Sequence, residues 1–214
     1  MCPVTAPAPA AAPTPPATRL LRPTLVQLPG YRAALERGWS PDNLRGAAAI
    51  TETLARIESD AAAFIALTHD PEAKGPPVTL LDGSTRPRIP GLSRWIWHGA
   101  AADDEPDGFC GVIGLRWLPG TAELPPHVLG HVGYSVVPWR RGQGHATRAL
   151  GLLLAVAREQ GLPWVDLTTD PDNTASQRVI TANGGQLLGA YDRGPAWGHS
   201  AALRYRIALV PTQP

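Results

Sequence analysis

The spacing of apolar positions changes several times along the chain, and each change marks an element. From Arg19 the run RLLRPTLVQL reads as a first strand, and after the Pro29-Gly30 break YRAALERGW returns apolar residues at helical spacing. Ser40-Pro41-Asp42 has the form of a helix start with proline just inside. Ile50, Leu54, Ile57, Ala61, Phe64 and Ile65 follow three or four residues apart, which predicts one amphipathic helix. Beyond Pro71 the pattern becomes extended. VTLLDGSTRPRI holds an Asp82-Gly83 turn between two short runs, and Trp95-Ile96-Trp97 and Phe109 to Trp117 read as strands of an antiparallel sheet.

His131 to Val137 is again a strand, Gly144 to Gln160 a helix with Ala146, Leu150, Leu153, Leu154 and Ala157 on one face, and Trp164 to Thr168 a strand. This is one βαβ unit. Asn173 to Asn183 makes a second helix closed by Gly184-Gly185, and the runs Gln186 to Tyr191 and Ala201 to Val210 are the last strands. Met1 to Thr18 alternates proline and alanine, lacks large apolar residues and is expected to be a disordered arm, which leaves 19–210 as one domain and 211–214 as a tail.

With 214 residues, 19 Lys+Arg against 18 Asp+Glu and a net charge of +1, the chain fits a single medium-sized domain without the basic footprint of a nucleic-acid binder or a membrane-surface protein. Its basic residues are arginines except for Lys74, a bias toward bidentate recognition of phosphate or carboxylate. Cys2 and Cys110 are too few for a disulfide framework, so the expected compartment is the reducing cytoplasm. No leader pattern and no membrane-spanning apolar run is evident.

The stretch VGYSVVPWRRGQGHATRALGLLL concentrates the chemistry. A strand stops at Val137-Pro138, an Arg/Gly-rich loop follows, and a helix starts at once. Gly142 and Gly144 let backbone N–H groups converge on one point, and the helix N-terminus adds about half a positive charge there. A pyrophosphate suits such a cradle, although by itself the loop is weakly specific. No Gly-Lys-Ser/Thr follows the glycines, which rules out a Walker loop. Gly142-x-Gly144-x-x-Thr147 with Asp166 further on approaches a dinucleotide fingerprint, but the third glycine is missing and no second mononucleotide half remains.

Two segments, RRGQGHA at 140–146 and DNTASQRVITANGG at 172–185, resemble motifs A and B of the GNAT superfamily of acyl-CoA-dependent N-acetyltransferases, and the resemblance extends over 19–210. It implies an α/β fold: a mixed, mostly antiparallel, twisted sheet with helices on both faces, splayed at one parallel strand pair. It further implies acetyl-CoA as cosubstrate, held at its pyrophosphate by the loop Arg140, Arg141, Gly142, Gln143, Gly144, His145, Ala146 and Thr147. By the same resemblance, backbone groups of Val136 and Val137 hold the pantetheine and polarise the thioester carbonyl, and Asn173 either binds pantetheine or caps its helix. Arg148 also flanks the loop and could reach the phosphates.

The sequence departs from the family's pattern twice. The strand before motif A has no carboxylate to deprotonate the amine, which leaves His131 as the candidate base and His127 as a second. Motif B has Ile180 where many relatives carry a tyrosine acid for the leaving thiolate, which leaves Ser176, Tyr134 or solvent, with Ser176 preferred. Cys110 has no histidine or carboxylate at a recognisable triad spacing, so direct attack on the thioester, without a metal, is expected. Trp95, Trp97, Trp117 and Trp139 could wall an acceptor groove or fill the core, and Asp103, Asp104, Glu105 and Asp107 could attract a cationic amine or simply be solvated.

The expected activity is acetyl transfer to the amine of a small molecule or peptide, with a homodimer left open. The competing expectation is a catalytically silent acyl-CoA-binding or regulatory module.

Overall fold

The computed structural model describes residues 17–209. The expected arm through residue 16, with Cys2, and the tail beyond 209 lie outside the described residues. The elements are β1 (Thr18–Leu21), α1 (Leu28–Glu36), α2 (Gly46–Ser59), α3 (Ala61–Ala66), β2 (His69–Asp70), β3 (Val78–Thr79), β4 (Thr85–Arg86), β5 (Gly91–His98), β6 (Phe109–Arg116), β7 (Val132–Val136), α4 (His145–Glu159), β8 (Trp164–Thr169), α5 (Thr174–Thr181), β9 (Gln186–Asp192) and β10 (Ala201–Ala208).

From β5 onward these elements follow the sequence reading closely. Upstream, three local features alter it. Thr18, assigned by sequence to the arm, is the first residue of β1 and pairs with His98. The first strand is short because Pro23 removes a donor, and the Gln27 side chain then closes a turn by accepting from the Thr24 amide and hydroxyl. The helix expected from Ser40 to Ile65 is two helices. Asp60 is extended (φ −158°, ψ 93°), and its carboxylate accepts the Ala63 N–H at 2.9 Å, ending α2 and capping α3.

One sheet runs β1-β5-β6-β7, with β2 also on β5, and a second runs β8-β10-β9, each pairing antiparallel. The crossover through α4 sets β8 beside β7. Among the described residues no ladder joins these two strands, so the expected splay is a full parting of one sheet into two.

Each face of this surface has its own core. Leu150, Leu153 and Ala157 of α4 and Ile180 of α5 pack with Ile96, Ile113, Val165, Leu167 and Ile207 from both sheets. This shared core holds the sheets together although their backbones part. On the opposite face Tyr31, Leu35 and Trp39 cover Trp95, Trp97 and Phe109. Tyr31 stacks on Trp95 at 5.0 Å, and Trp39, Phe109 and Tyr31 meet edge to face.

Gly111 controls how closely β6 approaches β7. It sits at φ +149° opposite Val136, and a Cβ there would lie 2.2 Å from the Ser135 carbonyl oxygen. Gly111→Ala is expected to cost about 2 kcal/mol or more, read as a lower urea midpoint with an unchanged m value.

Candidate functional site

The end of β7 leads straight into a cluster of unpaired backbone donors. Pro138 to Arg140 form a single 3-10 turn, Gly142 and Gly144 both adopt left-handed φ (74° and 76°), and α4 begins at His145. Gly144 is the N-cap and supplies no side-chain cap, so the first-turn N–H groups have neither an intrahelical partner nor a side-chain acceptor. A Cβ on Gly142 would meet nothing within 4 Å, so the space over the loop is open. Open N–H groups and the positive end of a four-turn helix make a cradle that fits a pyrophosphate.

The side chains of the loop brace it. Arg140 donates to the Asp107 carbonyl at 2.7 Å, Arg141 Nε donates to the Val136 carbonyl at 3.1 Å, and Gln143 Nε2 reaches the Trp139 carbonyl at 3.5 Å. Arg148 donates to Thr18 Oγ1 at 2.9 Å and to the Gln143 carbonyl, which turns it inward, away from a ligand on the loop. Ala146 and Thr147 are half-buried in the first turn. The His145 ring is buried beneath the loop, with Nδ1 2.9 Å from Thr18 Oγ1, so only its amide faces the cradle.

Val137 differs from its expected role. Its N–H donates to the Cys110 carbonyl and its carbonyl accepts from Arg140, so both backbone groups are spent inside the protein. With Val137 bonded to Cys110, and Arg116 donating to the His131 carbonyl, antiparallel alternation points residues 133 and 135 toward β6. Tyr134 and Val136 then turn their backbone groups to the gap beside β8. The free edge of β7 therefore belongs to Tyr134 and Val136. Asn43 Nδ2 donates to the Tyr134 carbonyl at 3.2 Å and Arg141 to that of Val136, so each of these carbonyls has a side-chain donor that a ligand amide could replace.

Across the gap, the Tyr134 hydroxyl lies 2.7 Å from Ser176 Oγ. Two of the three residues proposed from sequence as catalytic thus meet in one hydrogen bond. Burial pushes the Tyr134 phenol up to about 12, with Ser176 opposing the shift, so it stays protonated at neutral pH. Asn173 caps α5: its Oδ1 accepts the Ser176 N–H at 3.0 Å, which fixes Ser176 in the first turn.

The third residue, His131, lies apart from this pair, at the start of β7 and 1 % exposed. Its Nδ1 accepts the Asp166 N–H at 3.0 Å, and its own N–H donates to the Asp166 carbonyl at 2.8 Å. Nδ1 is thereby an acceptor, so the neutral ring carries its proton on Nε2 and has no free lone pair for an incoming proton. Burial lowers its pKa, against the pull of the Asp166 carboxylate. His127 is also shifted down, by burial and by Arg86 of the β3–β4 hairpin.

Although no histidine stands near Cys110 in the chain, its Sγ is 3.7 Å from His145 Nε2. The pair is tuned against nucleophilic use. Burial raises the thiol to about 11, while burial and the nearby Arg148, His98 and Arg140 lower His145 to about 4. Trp95, Trp97 and Trp117 are core residues, whereas Trp139 is at the surface under the Arg37 guanidinium, 3.6 Å from the ring centre. In the acidic cluster, Asp103 pairs with Arg19 at 2.8 Å and Glu105 accepts the Ala102 N–H. Thr18, Asn43 and Arg206 also shape the site, through contacts from distant parts of the chain that carry no motif. Among the described residues no group of three or more His, Cys, Asp or Glu side chains is arranged to hold a metal, and no helix is long and apolar enough to cross a membrane.

The chain matches the model of the acetyltransferase (GNAT) domain over residues 53–186. No curated protein sequence matches it significantly. Among solved structures it is similar to the microcin C7 self-immunity acetyltransferase MccE in complex with acetyl-CoA and AMP, at 14% identity and a TM-score of 0.54 over 89% of this chain and 92% of that one. It is also similar to RimL, the ribosomal L7/L12 alpha-N-protein acetyltransferase, in complex with coenzyme A, at 14% identity and a TM-score of 0.56 over 89% and 93% of the two chains. At this identity the likeness is one of fold.

Gly144→Glu places a carboxylate at the helix N-cap, where the site presents donors for an anion. The substitution is expected to remove acetyl-CoA binding in calorimetry while the circular dichroism spectrum stays that of the wild type. Unchanged affinity would refute the cradle.

Proposed function

The chain belongs to the GNAT acetyltransferase family, and from that premise we propose that it transfers an acetyl group from acetyl-CoA to the α-amino group of a peptide or amino-acid-like acceptor by direct attack in a ternary complex. The observation that carries this reading is the continuity of the uncapped start of α4 with the free edge of β7. One binds the pyrophosphate and the other lets the pantetheine arm add alongside Tyr134 and Val136 as a short extra strand. The Val136 N–H is then the donor to the thioester carbonyl, where negative charge develops as the amine attacks.

The Tyr134–Ser176 pair serves the leaving sulfur. When the Ser176 hydroxyl donates to the Tyr134 oxygen, the phenolic proton is held only by the long bond to the Ser176 carbonyl at 3.4 Å and can turn into the gap. A phenol held near 12 remains a donor through the working pH range. It stabilises the departing thiolate, whose own pKa is about 8.5, by a hydrogen bond without becoming phenolate. Cys110 takes no part, because a thiol pushed up to about 11 beside an imidazole lowered to about 4 does not form the ion pair that covalent catalysis requires.

The choice of an α-amine follows from the proton. Of the strand residues lining the gap, Asp166 is the one carboxylate, and both its oxygens are forked to Arg206 at 2.7 and 2.9 Å. His131 has no free lone pair. With no base waiting on either strand, the acceptor supplies its own neutral fraction, and water takes the proton. An α-amine of pKa about 7.7–8.0 is partly neutral at pH 7, whereas a lysine amine near 10.4 is almost wholly charged. The comparison with an alpha-N-protein acetyltransferase of the same fold agrees with this choice.

Release of coenzyme A in the presence of a panel of peptides and amino acids tests the activity. Tyr134→Phe is expected to lower kcat by about a hundredfold with little change in KM for acetyl-CoA. An unchanged kcat would remove the pair from the mechanism. The pH profile of kcat/KM should rise to a plateau set by the acceptor's own pKa, and show no falling limb before pH 10, because Tyr134 ionises only near 12. Replacing an α-amine by an alkylamine should move the rise upward by roughly two pH units. An inflection near the histidine range of about 6.5 that stays put when the acceptor changes would instead reveal an enzyme base.

A further inference from the structure

We infer that His131 is a positioning residue: its neutral imidazole clasps the two half-sheets together at one point and thereby sets how widely β7 and β8 stand apart along the coenzyme cleft. The inference rests on the acetyl-CoA reading of that cleft and replaces the base expected from sequence with a different task.

Where two parallel strands part, each loses its partner's donors and acceptors, and a buried N–H left alone is costly. Asp166 is the residue of β8 at that point, and both of its backbone groups are satisfied by His131: the carbonyl by the His131 N–H at 2.8 Å, the N–H by Nδ1 at 3.0 Å. The imidazole thus stands where a strand carbonyl would stand in a continued ladder. The His131 carbonyl meanwhile accepts from Arg116 of β6 at 2.9 Å, and the Asp166 carboxylate is forked to Arg206 of β10. A chain of hydrogen bonds therefore crosses from the first sheet to the second through this one histidine.

Gly130 supports the same reading independently. A Cβ there would lie 2.8 Å from the Asp166 carbonyl oxygen and 3.3 Å from the Leu167 Cα, so the strands are drawn together as far as a glycine permits. Three residues beyond His131, at Tyr134, no strand ladder joins β7 to β8, and the Tyr134 hydroxyl instead reaches Ser176 of α5. The clasp works only with a neutral ring, since an imidazolium would present Nδ1–H to the Asp166 N–H. The charged groups around it are the Asp166 carboxylate, which favours protonation, and Arg206 and Arg116, which oppose it together with burial.

Calorimetry with acetyl-CoA on wild type, His131→Leu, His131→Asn and Gly130→Ala, together with steady-state turnover, distinguishes a clasp from a base. Asparagine offers an acceptor oxygen near the position of Nδ1 but cannot take up a proton. His131→Leu and Gly130→Ala are expected to weaken acetyl-CoA binding by about tenfold or more, with the folded circular dichroism signal retained, whereas His131→Asn stays within about threefold of wild type in affinity and kcat. If His131→Asn and His131→Leu bind normally and lose turnover equally, the residue is a base and the inference fails. It also fails if all variants behave as wild type.

Should His131→Leu not fold, Gly130→Ala and His131→Asn still decide, because neither removes the acceptor at the clasp. Ring-nitrogen NMR of the wild type gives a readout that needs no coenzyme: an unprotonated Nδ1 and a protonated Nε2 are expected, and the opposite tautomer would overturn the clasp. Failure of the wild type to bind acetyl-CoA, with that tautomer present, would defeat the proposed function and leave the clasp standing.

Discussion

A strand that pairs on one side only must find other partners for the backbone groups on its second side, and the architecture around β7 follows from that requirement. Its inner groups bond to β6 throughout, from Arg116–His131 at one end to Cys110–Val137 at the other. Its outer groups face the gap beside β8, where Asn43 and Arg141 reach in from separate loops to the carbonyls of Tyr134 and Val136. An open strand edge ordinarily invites another chain. Here it lies between two sheets and beside the α1–α2 connection, whose Asn43 covers the Tyr134 carbonyl.

An opening of this kind is tolerable because the packing beneath it is continuous. Ala149, Leu150, Leu153 and Ala157 are fully buried and contribute to a single core with residues of both half-sheets, so α4 joins what the hydrogen bonds leave apart. The same helix points its N-terminus at the end of the gap. Rigid placement of the cradle and attachment of the two sheets are consequently one structural fact, and the buried His145 at the first position of α4, bonded to Thr18 of the far edge strand, secures the helix start from below.

Several polar side chains that look like chemistry in the sequence are engaged in holding this geometry. Arg140 and Arg148 brace loop carbonyls, Asn173 caps α5, and the Asp166–Arg206 fork links β8 to β10. Of these, Asn173 satisfies an N–H that the start of a helix leaves unpaired. The residue types alone do not distinguish such tasks from ligand binding, since the same donors and acceptors serve both.

The local pattern of the sequence determined the elements from β5 onward, the βαβ unit around the glycine loop, and the glycine-rich start of α4, because strand alternation, helical spacing and left-handed glycines are all properties of short stretches of backbone. Upstream, Asp60 divided a helix whose apolar spacing ran on unbroken, a choice made by one capping carboxylate. Tertiary structure alone decided which way backbone groups face: that Val137 is spent on Cys110 while Tyr134 and Val136 border the gap depends on the register with β6, and register is a relation between distant segments. It likewise brought Tyr134 to Ser176, His145 to Cys110 and His131 to Asp166 across 42, 35 and 35 positions of chain. Contacts closed over such separations leave no periodic trace, because they are fixed by how whole elements pack, and that is why the glycine loop was legible in the residues and the contacts around it were not.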